Sequence, residues 1–132
     1  MSTRCNIHFI GWGETQANVY RHHDGYPEAI VPDLDEFFDA VESQTSDTRF
    51  GDAPYLAAKF IVWSATRRMT TWDGRPKNIL DFTGIGVAMH DADDGEYIWE
   101  VHCAGRGRPE VKLQTTDGSV VDLEPYREKA KS

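Results

Sequence analysis

The spacing of apolar residues changes period twice along this chain, and the order of those changes constrains the fold more than any single motif. From Cys5 to Trp12 the side chains alternate, with Cys5, Ile7 and Phe9 set against Asn6, His8 and Ile10, which is the pattern of a strand. Gly11-Trp12-Gly13-Glu14-Thr15 supplies turn residues. A second alternating run, from about Gln16 to His22, sets Ala17, Val19 and Arg21 against Asn18, Tyr20 and His22, so the two runs predict a hairpin. The period then lengthens. Leu34, Phe37, Phe38 and Val41 fall at i, i+3, i+4 and i+7, one apolar stripe of a helix running to about Gln44. Asp33, followed by Glu36 in capping-box spacing, reads as the start of that helix, and the prolines at 27 and 32 keep Glu28–Val31 out of a central strand. After a polar loop, Pro54 opens a second helix to about Met69. Leu56, Phe60 and Trp63 line one side of it, Ala57, Ala58, Ile61 and Ala65 widen the buried surface, and Arg67 and Arg68 stand at its cationic end.

Thr70 to Asp81 reads as a long loop, and beyond it strand patterns return: Phe82 to His90, Glu96 to Cys103, Glu110 to Thr116 and a shorter Ser119 to Leu123. Asp93-Asp94-Gly95 and Asp117-Gly118 have the composition of hairpin turns. Val87, Met89, Tyr97, Trp99, Val101, Val111 and Leu113 supply an apolar sheet face, and the tail from about Pro125 is frayed or helical. A ββααβββ order has no βαβ alternation, which argues against a doubly wound parallel sheet. The expected class is α+β: an antiparallel or mixed sheet of five to six strands with two helices packed on one face. At 132 residues and 39% apolar content, residues 1–132 are expected to form a single domain.

A formal net charge of -8 argues against general nucleic-acid binding and against an anionic membrane surface, because both require a positive field. No apolar run has signal-peptide or membrane-span length, so a cytoplasmic location is expected. Cys5 and Cys103 could pair only if their strands lay side by side; two reduced, buried thiols are the default.

The densest chemistry is the run Tyr20-Arg21-His22-His23-Asp24-Gly25-Tyr26-Pro27-Glu28. Part of it is a turn, with Gly25 allowing a positive φ. His22, His23 and Asp24 are ligand types for a metal, with His90, Asp91, Asp93, Asp94 and His102 available from the far sheet. Adjacent strand residues point to opposite faces, however, and no His-x-x-x-His or Cys-x-x-Cys spacing occurs, so no metal is assigned. Without a P-loop or a dinucleotide fingerprint no cofactor is assigned either; Gly84-Ile85-Gly86 is only a fragment of one. His22 or His23 beside Asp24 is the natural acid–base pair if the protein is an enzyme, since a carboxylate can orient an imidazole that titrates near neutrality, and strand alternation, which lets only one of the two join Tyr20 on a face, favours His22. As a binding site, Tyr20, His22, Asp24 and Tyr26 would orient a ligand. Arg67, Arg68, Arg75, Arg106 and Arg108, with Lys77 nearby, would neutralise an anion, because arginine forks match phosphate and carboxylate.

Met1-Ser2-Thr3-Arg4 before a short strand, and Tyr20-x-His22-x-Asp24-Gly25-Tyr26-Pro27 leading to an amphipathic helix, resemble small uncharacterised proteins of phages and bacteria. In many of these an aromatic stands where this chain has His23. The likeness is confined mainly to the N-terminal third and implies no particular reaction. It implies a phage-type accessory protein that would withhold a nucleotide-like signal from a host defence system. The first expectation is therefore binding of a small anionic, nucleotide-derived ligand. The alternatives are a hydrolase on a phosphorylated or nucleotide substrate, and a protein-interaction module using Trp12, Trp72 and Tyr126. A homodimer is compatible with each.

Overall fold

The computed structural model describes residues 3–67, 74, 78, 80, 84–93, 95–105 and 107–131. Strands β1 (Cys5–Gly11) and β2 (Glu14–Arg21) form the expected hairpin, in the expected register of faces. Its turn is tighter than the sequence suggests. Trp12 and Gly13 alone make it, with φ of 57° and 76°, and two successive left-handed residues match the twist of a two-residue hairpin. Phe9 pairs with Ala17 but Ile10 with Thr15, so Gln16 is the extra residue of a bulge.

Helix α1 (Pro27–Gln44) starts at Pro27, well before the expected Asp33. Pro27 occupies the first turn, where a missing N–H costs no helical bond. Pro32 lies inside the helix and removes the bond that its nitrogen would give the Glu28 carbonyl. Burial of Ile30 and Val31 beside Leu34, Phe37, Phe38 and Val41 offsets that loss, so the apolar stripe extends a turn further back than the capping reading allowed. Asp33 is thus a mid-helix side chain and not a cap. Helix α2 (Ala53–Thr66) is capped by Asp52, whose Oδ1 accepts from the Tyr55 N–H at 3.5 Å, and Arg67 is its C-cap; Met69, the expected end, lies outside the described residues.

The remaining elements are β3 (Ile85–Val87), β4 (Tyr97–His102), β5 (Glu110–Leu113) and α3 (Glu124–Lys131). The five strands make one mixed sheet in the order β3-β2-β1-β4-β5, antiparallel except for β1 with β4. The fold is α+β. Phe82 lies outside the described residues, Ser119–Leu123 forms no strand, and the C-terminal segment is helical.

β3 and β4 do not form the expected hairpin, because they lie on opposite sides of the β1–β2 pair; Asp94 of the expected turn lies outside the described residues. The segment between them crosses the sheet face away from α1 and α2, and the polar side chains of that face hold it. The Ala88 N–H donates to the Asn18 carbonyl, the Ala92 N–H to Asn6 Oδ1 at 2.9 Å, and the Glu96 N–H to the Arg4 carbonyl. Asn6 Nδ2 donates to Asn18 Oδ1 at 2.8 Å, while Asn18 Nδ2 and the His8 ring both meet Asp91 Oδ1. Buried Asn6 and Asn18 are thereby satisfied. Val87 and Met89, expected on the apolar face, are 76% and 91% exposed, because one sits on an edge strand and the other on the crossover.

Both long helices cover the opposite face. Cys5, Ile7, Phe9, Val19, Trp99 and Val101 from the sheet join residues of α1 and α2 in one core. Phe60 meets Phe9 at 6.0 Å and Phe37 edge-on at 5.3 Å between ring centroids, linking β1, α1 and α2. Cys5 and Cys103 are free and buried, and burial pushes their thiols up to about 12 and about 11. Cys103 donates its N–H to Ile10 while Cys5 pairs with Tyr97 at the other end of the strand. At about 3.3 Å per residue that separation is roughly 17 Å, far beyond the ~7 Å reach of a disulfide. No helix among the described residues is long and apolar enough to cross a membrane.

Gly25 is required by close approach. A Cβ there would lie 2.6 Å from the Cys5 Cβ and 3.0 Å from both Cys5 Sγ and the Thr3 carbonyl. Gly25→Ala is expected to destabilise the fold by about 2–3 kcal/mol, the cost of overpacking against backbone and a buried side chain. Urea unfolding measures it, and a change below about 0.5 kcal/mol, the usual scatter of a surface substitution, would mean that the contact relaxes freely.

Candidate functional site

β2 delivers Arg21 on the helix-facing side of the sheet, two residues beyond Val19, so alternation alone places a guanidinium at the edge of an apolar core. There it is 6% exposed and needs partners. Its Nε donates to the His23 carbonyl at 2.9 Å and its Nη2 lies 2.8 Å from Asp33 Oδ2. Asp33 reaches it because α1 starts early, which sets the carboxylate in the second turn, opposite the end of β2. Arg67, at the end of α2, takes the other oxygen of the same carboxylate at 2.8 Å, places Nη2 3.2 Å from Glu36, and lies over the Trp63 ring at 4.7 Å. One carboxylate thus bridges two guanidiniums from different elements.

Arg21, Asp33 and Arg67 line a cavity of about 280 Å³ with His23, Asp24, Ala29, Trp63, Ser64, Gly84 and Ile85. Ser64 is 9% exposed, and its buried Oγ has no hydrogen-bond partner among the described residues. Such a hydroxyl costs free energy unless something supplies a partner. Asp24 adopts φ 59°, a left-handed conformation that Asp and Asn tolerate better than most residues. The positive φ expected at Gly25 therefore falls one residue earlier. Tyr26 Oη donates to Asp24 Oδ1 at 3.3 Å, and the negative charge of Asp24 pushes the Tyr26 phenol above its ordinary pKa.

The residues singled out from sequence are divided between this cavity and other places. Asp24 and Arg67 line it, and Tyr26 reaches it through Asp24. Tyr20 and His22 belong to the other sheet face, where the Tyr20 hydroxyl meets His22 Nδ1 at 2.6 Å and Arg4 Nε donates to the same nitrogen at 3.3 Å. Among the described residues no hydrogen bond joins His22 to Asp24; His23 lines the cavity beside Asp24, with its ring packed edge-on to that of His22. Arg108 is held by Asp39 and Glu42, and hydrogen bonding to Asp39 chiefly pushes its pKa up. Those carboxylates lie six and nine residues beyond Asp33, roughly 9–14 Å further along the helix at 1.5 Å per residue. Arg68, Arg75, Lys77, Arg106 and Trp72 lie outside the described residues.

A general pattern accounts for this division. α1 carries carboxylates around its polar side, and arginines from different elements take them. Arg21 and Arg67 share Asp33, Arg108 takes Asp39 and Glu42, and Arg127 of α3 donates to Asp35 at 3.0 Å. Arg21, Arg67, Arg108 and Arg127 thus each tie a different part of the chain to α1, whereas Arg49 pairs locally with Asp47 and Asp52. Arg21 and Ser64 were not singled out from sequence. An arginine on the core-facing side of a strand was the available signal for the first, and nothing in the sequence marks the second. Among the described residues no group of three or more His, Cys, Asp or Glu could hold a metal ion. No protein-family model, curated protein or solved structure matches the chain.

Proposed function

We propose that the protein binds a small ligand through an anionic group, phosphate or carboxylate, in the cavity between the end of β2, α1 and α2. The observation that carries this is the convergence of Arg21 and Arg67, from different elements, on one recess. Each guanidinium has five N–H donors in a planar fork, and Asp33 engages only part of each fork. The low exposure of Arg21 strengthens any charge-assisted bond made there. A volume of about 280 Å³ stands at the lower end of the roughly 300–1,000 Å³ of small-molecule sites, so it suits a compact phosphate or a fragment of a nucleotide better than a dinucleotide. A nucleotide-derived signal sequestered by a phage-type accessory protein is the biological setting we attach to this reading.

Calorimetry with inorganic phosphate and a panel of nucleoside monophosphates and cyclic nucleotides tests it. Arg67→Ala is expected to weaken the binding found by roughly 10–100-fold, the worth of a hydrogen bond to a charged group. A flat panel with all variants folded would reject the reading. Ligand recovered intact after denaturation separates a binder from a hydrolase, which would return product.

A further inference from the structure

The cavity holds a carboxylate that the anion reading leaves unused. Asp24 lines the recess from the loop between β2 and α1, next in the chain to His23, whose carbonyl accepts from Arg21. The oxygens of Asp33 are both engaged, one by each guanidinium, so that carboxylate serves the protein. The side chain of Asp24 has one donor among the described residues, the Tyr26 hydroxyl at 3.3 Å, which is long for an O–H···O bond. An ionised carboxylate offers about four lone-pair sites. Asp24 is thus a charged acceptor lining this cavity with capacity to spare, and it adopts a left-handed φ.

Charge balance then selects the ligand. Leaving the His23 imidazole aside, the described lining residues carry two guanidiniums against the carboxylates of Asp24 and Asp33, which sum to zero. Glu36 lies outside the lining and is solvated at 60% exposure. A ligand bringing only negative charge would leave the recess unbalanced beside an arginine that is 6% exposed, and uncompensated charge in such a place is costly. A ligand that also brings an ammonium keeps the sum at zero and gives Asp24 an N–H partner. We infer that this site takes a zwitterion: a small molecule with a phosphate or carboxylate at the Arg21 and Arg67 guanidiniums and a protonated amine at Asp24. This rests on the anion-binding reading above and specifies its ligand class.

Matched probes test it on the full chain: ethyl phosphate, 2-hydroxyethyl phosphate and 2-aminoethyl phosphate, with the propyl homologues to vary the span, all by calorimetry at low salt. The amines are expected to bind at least tenfold more tightly than the alkyl and hydroxyalkyl phosphates of the same length. In Asp24→Asn, a substitution that tolerates a left-handed φ, this preference should shrink below about threefold while ethyl phosphate binds no more weakly. Arg67→Ala should weaken every probe together. Equal binding of amine and alcohol, or a preference that survives Asp24→Asn, overturns the zwitterion and leaves the anion site standing. Failure of every probe and of inorganic phosphate to bind overturns the anion site itself.

Discussion

Replacing Asp33 by alanine is expected to destabilise the protein by about 2–4 kcal/mol, as removal of one partner from a largely buried ion pair does, after a discount for the partial exposure of the carboxylate. The variant leaves the Arg21 guanidinium 7% exposed with only the His23 carbonyl as a named acceptor, and it frees the end of α2 from α1. The exposed half of the bridge should matter much less. Arg67, at 42% exposure, resembles a surface pair, so Arg67→Ala should cost no more than about 1 kcal/mol. Urea unfolding of the two variants separates these contributions. A double replacement of Arg21 by methionine and Asp33 by leucine should recover most of the lost stability, because apolar side chains remove both charges together. If Asp33→Ala unfolds with wild-type stability, the bridge is a surface ornament and the electrostatic account of the cavity falls with it.

Trp99→Ala should be costlier still, about 3–5 kcal/mol, in the range of large aromatic truncations in a packed core. Trp99 is fully buried, and its indole Nε1 donates to the Gly25 carbonyl at 2.8 Å. That bond fixes the loop carrying Asp24, so the tryptophan joins the core to the cavity wall. Trp99→Phe isolates the polar part: it keeps an aromatic ring but orphans a buried carbonyl, at about 1–3 kcal/mol. Thermal unfolding followed by circular dichroism measures both. A Phe variant as stable as the parent would show that the loop is held by packing alone. The same variant should loosen Asp24 and blunt the preference for amines.

Where one physical signal acted alone, the sequence was readable. Alternation of period 2 sorted β1 and β2 correctly, residue by residue, because the pleat leaves a side chain no third direction. The start of α1 lies a turn and a half before the expected one because the capping-box spacing of Asp33 and Glu36 occurs inside the helix and not at its end. Ile30 continues the stripe of Leu34, Phe37, Phe38 and Val41 one turn back, and that buried residue was the better guide. Strand pairing was less legible. Asn6, His8 and Asn18 look like a solvated face, and only the return of Asp91 and Ala92 over them shows otherwise, a contact between residues distant in the chain. The candidate site split for the same reason. Asp24 and Arg67 could be picked by residue type, but their meeting with Arg21 and Ser64 depends on how α1 and α2 sit on the sheet. Arg108 has the same chemistry as Arg67 and goes elsewhere because Asp39 and Glu42 attract it.

The place of β1 has a consequence for synthesis. It is made before every other strand of the sheet, yet it occupies the middle of that sheet, between β2 and β4. Its hairpin partner follows at once, but its other edge stays unpaired until Tyr97–His102 has been made, with both long helices already outside the tunnel. During that interval the apolar faces of α1 and α2 have a two-stranded ribbon to settle on, and an open strand edge beside them is a template for pairing with another chain. The nascent protein is thus most exposed to aggregation before its fourth strand arrives, and closure of the parallel pair is the step that ends that exposure.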